Sequence, residues 1–214
     1  MRRAGLLAGL ILCCALAVQA QEGYPRVEVF GGYAYARTDI TVFGAPESSH
    51  GWAATASVNF RRSFGVTAEF SGHYGKLIPD RTACILVFPP PPECSQKINF
   101  STYQVLVGPR LTIRFDRLTW FSHALVGAVQ RRTASYVQPG YTVGTITVPT
   151  FTVPPRSPTD IAMGFGMGLD LKAGNRLGLR LIQVDYVPAS GNGVYWLSNL
   201  RVRAGVVFKF LPRE

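Results

Sequence analysis

From about residue 26 onward the chain alternates. Apolar side chains recur at every second position in eight stretches, and no stretch carries the three-to-four-residue spacing of an amphipathic helix. The alternation predicts strands over 26–37, 51–61, 65–75, 100–114, 119–130, 159–172, 177–187 and 199–210. In the sixth, Ile161, Met163, Phe165, Met167, Leu169 and Leu171 share one face, against Ala162, Gly164, Gly166, Gly168, Asp170 and Lys172 on the other. The eighth sets Leu200, Val202, Ala204, Val206, Phe208 and Phe210 against Arg201, Arg203, Gly205, Val207 and Lys209. In the third, Val66, Ala68, Phe70, Gly72 and Tyr74 oppose Thr67, Glu69, Ser71 and His73; in the first, Val27, Val29, Tyr33 and Tyr35 oppose Glu28, Phe30, Gly32 and Ala34.

Such alternation suits a soluble barrel with its large apolar face inside, or a membrane barrel with that face outside. Three features favour the second. The smaller face mixes glycine and alanine with charges of both signs, which a narrow, side-chain-filled lumen can hold. The strands run to about eleven residues, enough to cross hydrocarbon when tilted. Connections alternate between short (61–64, 115–118, 173–176) and long (38–50, 76–99, 131–158, 188–198), as transmembrane barrels require. The expected fold is therefore all-β: an eight-stranded antiparallel up-and-down transmembrane β-barrel with short periplasmic turns and four long extracellular loops. Met163, Phe165, Met167, Val202, Val206 and Phe208 are expected to face lipid. Trp52, Phe60, Tyr74, Trp120, Phe121, Tyr186, Trp196, Phe208 and Phe210 are candidates for the interfacial aromatic girdles. The glycines at 164, 166 and 168 are no phosphate loop, because no helix follows them; they leave room in the lumen for side chains from facing strands, basic ones above all.

Two strands conflict with strict alternation. In the fifth, either His123 or Gln130 must face lipid unless a bulge changes parity, and in the seventh Arg180 and Asp185 point opposite ways. Within the third long loop, TVGTITVPTFTV has strand-like alternation that could raise a hairpin above the membrane, with Pro154, Pro155 and Pro158 expected to end it.

The N-terminus sets the compartment. Arg2 and Arg3 precede an apolar run from Leu6 to Val18, and Val18-Gln19-Ala20 offers a cleavage site, so residues 1–20 are expected to be a signal peptide and 21–214 the barrel domain. Cys13 and Cys14 lie within that leader, which leaves Cys84 and Cys94 for a single disulfide around ILVFPPPPE. The bridge would stabilise by roughly 3 kcal/mol. The formal charge of +10 suits anionic lipid or polysaccharide; export and the lack of a recognisable motif argue against nucleic acid.

VEVFGGYAYAR at the start, HALVGAV in the fifth strand, MGFGMGLDLKAGNRLGLRLIQVDYV across the sixth and seventh, and NLRVRAGVVFKF at the end together resemble the eight-stranded outer-membrane β-barrel family of OmpA-like and OmpX-like domains. The resemblance implies location in the bacterial outer membrane, contact with its lipid and lipopolysaccharide, and insertion by the barrel-assembly machinery, whose sorting signal the last strand resembles. Leu211-Pro212-Arg213-Glu214 depart from that signal by following the final aromatic. Envelope structure, adhesion or surface interaction through the extracellular loops is the implied role, with the loop ligand unidentified.

The chemistry agrees with a structural lumen. Glu28, Glu69 and Asp170 can pair with a basic set that includes Arg110, Arg180, Arg201 and Arg203, because buried charge demands a partner. Arg61, Arg114, Lys172 and Lys209 belong to the same set. Glu69, Ser71 and His73 share a face, as an enzyme site would, but residues two apart on a strand are about 6.6–6.8 Å apart, too far for a serine and its base; Ser122 and His123 face opposite ways. Dispersed histidines give no metal-ligand spacing, and no cofactor is implied. The expected function is non-enzymatic; a narrow porin-like channel for small solutes and a lipid-modifying outer-membrane enzyme are the alternatives.

Overall fold

The computed structural model describes residues 24–39, 47–77, 97–138, 140–143, 146–191 and 195–210. Eight strands close into an antiparallel barrel in the order β1-β12-β11-β10-β5-β4-β3-β2. They are β1 (Val27–Asp39), β2 (Glu47–Asn59), β3 (Phe64–Leu77), β4 (Ile98–Arg114), β5 (Leu118–Thr133), β10 (Thr159–Lys172), β11 (Leu177–Gly191) and β12 (Tyr195–Phe210). Four three-residue strands, β6 (Tyr136–Gln138), β7 (Tyr141–Val143), β8 (Ile146–Val148) and β9 (Phe151–Val153), lie between β5 and β10. Closure follows from pairing β1 with β12 from Val27↔Phe210 to Asp39↔Ser198, so no barrel strand is left as an edge.

The outside is apolar and the inside polar, the reverse of a soluble barrel. Phe70, Val105, Val107, Leu111, Ile113, Val126, Leu179 and Leu200 are exposed, while Glu28, Glu69, Arg110, Asp170, Arg201 and Arg203 are buried. Met163, Phe165 and Met167 stand outward at 38, 50 and 57% exposure. Phe208 is exposed beside them in character, and Val202 and Val206 are half-buried on the outward face of β12. Trp52, Phe60, Tyr74, Tyr186 and Phe210 are exposed too, as interfacial aromatics must be. Trp120 is half-buried, the side chain of Trp196 lies outside the described residues, and Phe121 departs from the expectation. It is buried in the lumen, because the inward face of β5 is its odd-numbered one, which carries Phe121, His123, Leu125 and Val129.

That parity answers the conflict in β5: His123 points in, and Gln130 lies on the outer face near the loop end, where its Oε1 accepts from Arg132. In β11 a bulge answers the other. The register shifts between Arg180 and Gln183, and Leu181 and Ile182 both face outward. One extra residue turns the even-numbered inward set into an odd-numbered one, so that Arg180, Gln183 and Asp185 all enter the lumen.

The turn ends are as short as the pattern implies, at 60–63, 115–117 and 173–176. The four connections at the opposite end start later than the expected bounds, because strand pairing runs farther up. It reaches Thr38↔Glu47 between β1 and β2, and Gly191↔Tyr195 between β11 and β12. Expected loop residues 188–191 and 195–198 are therefore strand. The disulfide expected between Cys84 and Cys94, and the leader at 1–20, lie outside the described residues.

The largest departure is between β5 and β10. The register set at Leu118↔Leu171 in the barrel is still kept at Gln130↔Thr159, at the isolated bridge Thr133↔Arg156, at Tyr136↔Val153 and at Val143↔Ile146. Prolines at 154, 155 and 158 interrupt the hydrogen-bonded pairing but not the register, since a proline removes one donor without changing residue count. The third connection thus keeps one hairpin register beyond the barrel, through two separate short ladders. Residues 134–155 of this ribbon contain no Asp, Glu, Lys, Arg or His.

The apolar belt makes a direct prediction. Phe165→Arg should cost about 2–4 kcal/mol of unfolding free energy in lipid vesicles, read from urea titration of tryptophan fluorescence. An exchange of the exposed Asn175 for arginine in the β10–β11 turn should leave the midpoint in place.

Candidate functional site

The lumen is the one place where the fold concentrates charge. Strand order brings residues distant in sequence into contact across it. Arg203 on β12 donates through Nη2 to Glu69 Oε2 on β3 at 2.7 Å, and to Asp185 Oδ2 on β11 through Nε at 2.9 Å and Nη2 at 2.6 Å. Arg201 Nη1 lies 2.8 Å from Glu69 Oε1 and donates to Gln104 Oε1 at 2.7 Å and Ser71 Oγ at 3.2 Å. These guanidiniums are fully buried, so each carboxylate pairing answers a desolvation cost that no water can relieve.

The chain of contacts continues toward the turn end. His123 Nε2 and Gln183 Nε2 both meet Asp185 Oδ1 at 2.9 Å. Gln183 Oε1 accepts from Arg180 Nη1 at 2.7 Å, and Arg180 grips Asp170 with a two-pronged contact, Nε–Oδ1 at 2.7 Å and Nη2–Oδ2 at 3.1 Å. Lower still, Glu28 is shared by Arg110, 2.9 Å away, and Arg114, 3.0 Å away. Arg110 also donates to Ser57 Oγ at 2.9 Å. Phe121 lies under both neighbouring guanidiniums, with Arg110 and Arg180 each 4.2 Å from its ring centre, and Arg180 is 4.3 Å from the centre of Phe30. Stacking of this kind partly replaces the water that the cations lose.

Glu28, Glu69, Arg110, Asp170, Arg180, Arg201 and Arg203 thus all lie in the lumen and are brought into ion pairs. Of the wider basic set, Arg114 pairs with Glu28 and Lys209 is buried in the lumen without an ion pair among the described residues, while Arg61 and Lys172 are exposed at the turn end. Asp185, His123, Gln183 and Phe121 complete the network, and period-two reading misses them because the β11 bulge and the parity of β5 were not fixed by alternation alone. The signal available was the conflict itself: Arg180 and Asp185 can share a face only across a bulge.

The glycines of β10 are sites of close approach, but not mainly to cations. A Cβ on Gly166 would collide with Asp185 Oδ1 and lie 2.8 Å from His123 Nε2. On Gly168 it would meet the Phe121 ring at 2.5 Å, and on Gly164 Leu106 at 3.2 Å. The space is filled by an acid, an imidazole, an aromatic ring and a leucine rather than by the basic side chains expected from the sequence.

Loop-ward of the ion pairs the wall of β4, β5, β10 and β11 turns apolar, while Ser49, Ser71 and His73 keep the wall of β2 and β3 polar. Leu106, Leu125, Val129, Ala162, Val187 and Ala189 form a buried cluster between the ion pairs and the loop end. The column Glu69, Ser71 and His73 does face inward, yet Ser71 Oγ accepts from Arg201 and neither ring nitrogen of His73 has a hydrogen-bond partner. No hydrogen bond therefore links the serine to the histidine. Among the described residues no group of three or more potential metal ligands gathers.

Loss of the bridging cation should be severe. Arg203→Met strands Glu69 and Asp185 in the lumen, with an expected cost of about 3–5 kcal/mol. The midpoint of urea unfolding in detergent, compared with that of the wild-type barrel, measures it; a shift under 1 kcal/mol would contradict the bridging role.

No family model and no curated protein sequence matches the chain. Solved structures do. Neisserial surface protein A superposes with a TM-score of 0.60 at 13% identity, covering 88% of this chain and 100% of that one. Ail, the attachment invasion locus protein of Yersinia pestis, gives 0.54 at 16% identity over 89% of this chain and 100% of its own. Ail in complex with the heparin analogue sucrose octasulfate gives 0.52 at 15% identity with the same coverages. Together with the closed barrel, the apolar belt and the buried ion pairs, these likenesses show that the chain has the fold of the eight-stranded outer-membrane β-barrels.

Proposed function

We propose that this is a non-enzymatic protein of the bacterial outer membrane, whose barrel is a sealed anchor and whose loop end makes surface contacts. The observation that carries this reading is the hairpin of β5 and β10, which keeps the barrel's register to Val143↔Ile146 and so holds an uncharged ribbon, rich in threonine and valine, clear of the surface. Both ribbon edges carry backbone donors and acceptors available to an extended partner. Near its foot Lys76, Lys97, Arg132 and Arg156 are exposed, with Arg37 across the barrel, a basic rim suited to polyanionic glycans or lipopolysaccharide. Ail's complex with a sulfated heparin analogue is an example of the same fold meeting such a ligand.

Two features weigh against a solute channel. The mid-lumen ion pairs bridge opposite walls, with Arg203 on β12 reaching Glu69 on β3, and the apolar cluster lies above them. A solute would have to break buried charge pairs that span the lumen and then pass a wall made partly of aliphatic side chains. Insertion by the barrel-assembly machinery fits β12, whose outward residues end in Phe208 and Phe210.

Replacing residues 134–155 by a short Asn-Gly turn should abolish most binding of displaying cells to a sulfated-glycan or host-matrix surface, while the heat-modifiable gel shift of the folded barrel persists. Retained binding by the shortened protein would remove the hairpin from the function. Planar bilayers containing the wild-type protein should stay at baseline current, and regular single-channel steps would favour the channel instead.

A further inference from the structure

Cations and carboxylates are not shared evenly between the two charged levels of the lumen. At mid-lumen Arg201 and Arg203 face Glu69 and Asp185, and the charges balance. In the turn-end half, Arg110, Arg114, Arg180 and Lys209 face only Glu28 and Asp170. Glu28 is already shared by Arg110 and Arg114, and Asp170 is held by both prongs of Arg180. Lys209 lies within electrostatic reach of Glu28, Asp170, Arg114 and Arg110, yet among the described residues it makes no ion pair. Positive charge therefore exceeds negative by two side chains in this half.

A second observation is independent of the charge balance. Arg110 is only 2% exposed, and its Nε and Nη2 have no hydrogen-bond partner; Nη2 is 3.8 Å from Asp170 Oδ2, too far for a hydrogen bond. Thr112, next on the same inward face of β4, also buries a hydroxyl without a partner. Buried donors are rarely left unmet. Arg201 Nε and Nη2 and Arg203 Nη1 are also unmet at the balanced level, but only in the turn-end half do unmet donors accompany a surplus of positive charge, so that the acceptor they lack is also the counter-charge that the level lacks.

We propose that the turn-end half of the lumen binds a small oxyanion of the phosphate or sulfate class. A guanidinium edge, a hydroxyl and an ammonium are donors suited to a tetrahedral oxyanion, with the guanidinium able to bind two oxygens at once. The approach is from the periplasm, since the apolar cluster lies on the other side of the ion pairs. That mouth is ringed by Arg26, Arg61, Arg62, Arg117, Lys172 and Arg176, with Asp116 the one acid on the described turns. A rim of this sign raises the local concentration of anions at the opening.

The test is a titration of inorganic phosphate into the barrel folded in zwitterionic detergent, followed by phosphorus NMR line width and by thermal unfolding, with chloride keeping ionic strength constant. The expected result is saturable broadening and a rise in unfolding temperature in phosphate over chloride. Lys209→Gln and Thr112→Val should each weaken binding about tenfold, the loss expected for one charge-assisted or buried hydrogen bond. Val107→Ala on the lipid-facing side of β4 should leave it unchanged. Two variants are used so that a folding defect in one, visible in the gel shift, leaves the other to decide. Non-saturable broadening, equal stabilisation by chloride, or unchanged binding in a folded variant of Lys209 or Thr112 would overturn the proposal.

Discussion

Arg203 is the residue on which the interior depends. A closed eight-stranded barrel encloses a space that side chains must fill, and its outer face is already committed to lipid, so polar residues have nowhere else to go. Once acids and bases are enclosed together, the cost of each is met only by the others. Arg203 joins three strands by holding Glu69 and Asp185 at once, and through Asp185 it is tied to Gln183, Arg180 and Asp170. The barrel wall is closed by backbone pairing, but its cross-section is braced by these contacts from one wall to the opposite one.

Much of this could be read from the sequence, because a membrane barrel obeys a simple rule. Side chains alternate between two solvents, lipid and lumen, and Met163, Phe165 and Met167 against Gly164, Gly166 and Gly168 display the rule without an exception. The acids and bases of β1, β3, β10 and β12 could be assigned to one face for the same reason. Asp185 could not, since one inserted residue in β11 reverses everything after it, and a bulge leaves no compositional mark. Phe121 was equally opaque: an aromatic near a strand end is as suited to the interface as to stacking beneath two guanidiniums, and only the parity of β5 decides. Likewise, prolines that stop hydrogen bonding need not stop a register, so the length of the β5–β10 hairpin was invisible in its composition.

The two ends of the barrel are chemically distinct. The turn end is basic at its mouth and retains surplus positive charge inside, whereas the loop end is closed below by aliphatic side chains and extended above by paired strands. Glycine serves both ends by the same means. At Gly166 the missing side chain is what admits Asp185 and His123 to the centre, so the smallest residue in the wall determines where the acid shared by Arg203, His123 and Gln183 can sit.

The unbroken register between β5 and β10 has a mechanical meaning. A loop that hangs from a barrel can swing without disturbing it, but a ribbon that shares its register with the wall has little slack at its base. A pull or twist on the tip reaches the strands that bear Phe121, His123 and Asp170 through the chain itself and through the short paired rows on either side of the proline breaks. The tip of the hairpin is therefore aligned, by register, with the two strands that line the stacked and ion-paired centre of the protein.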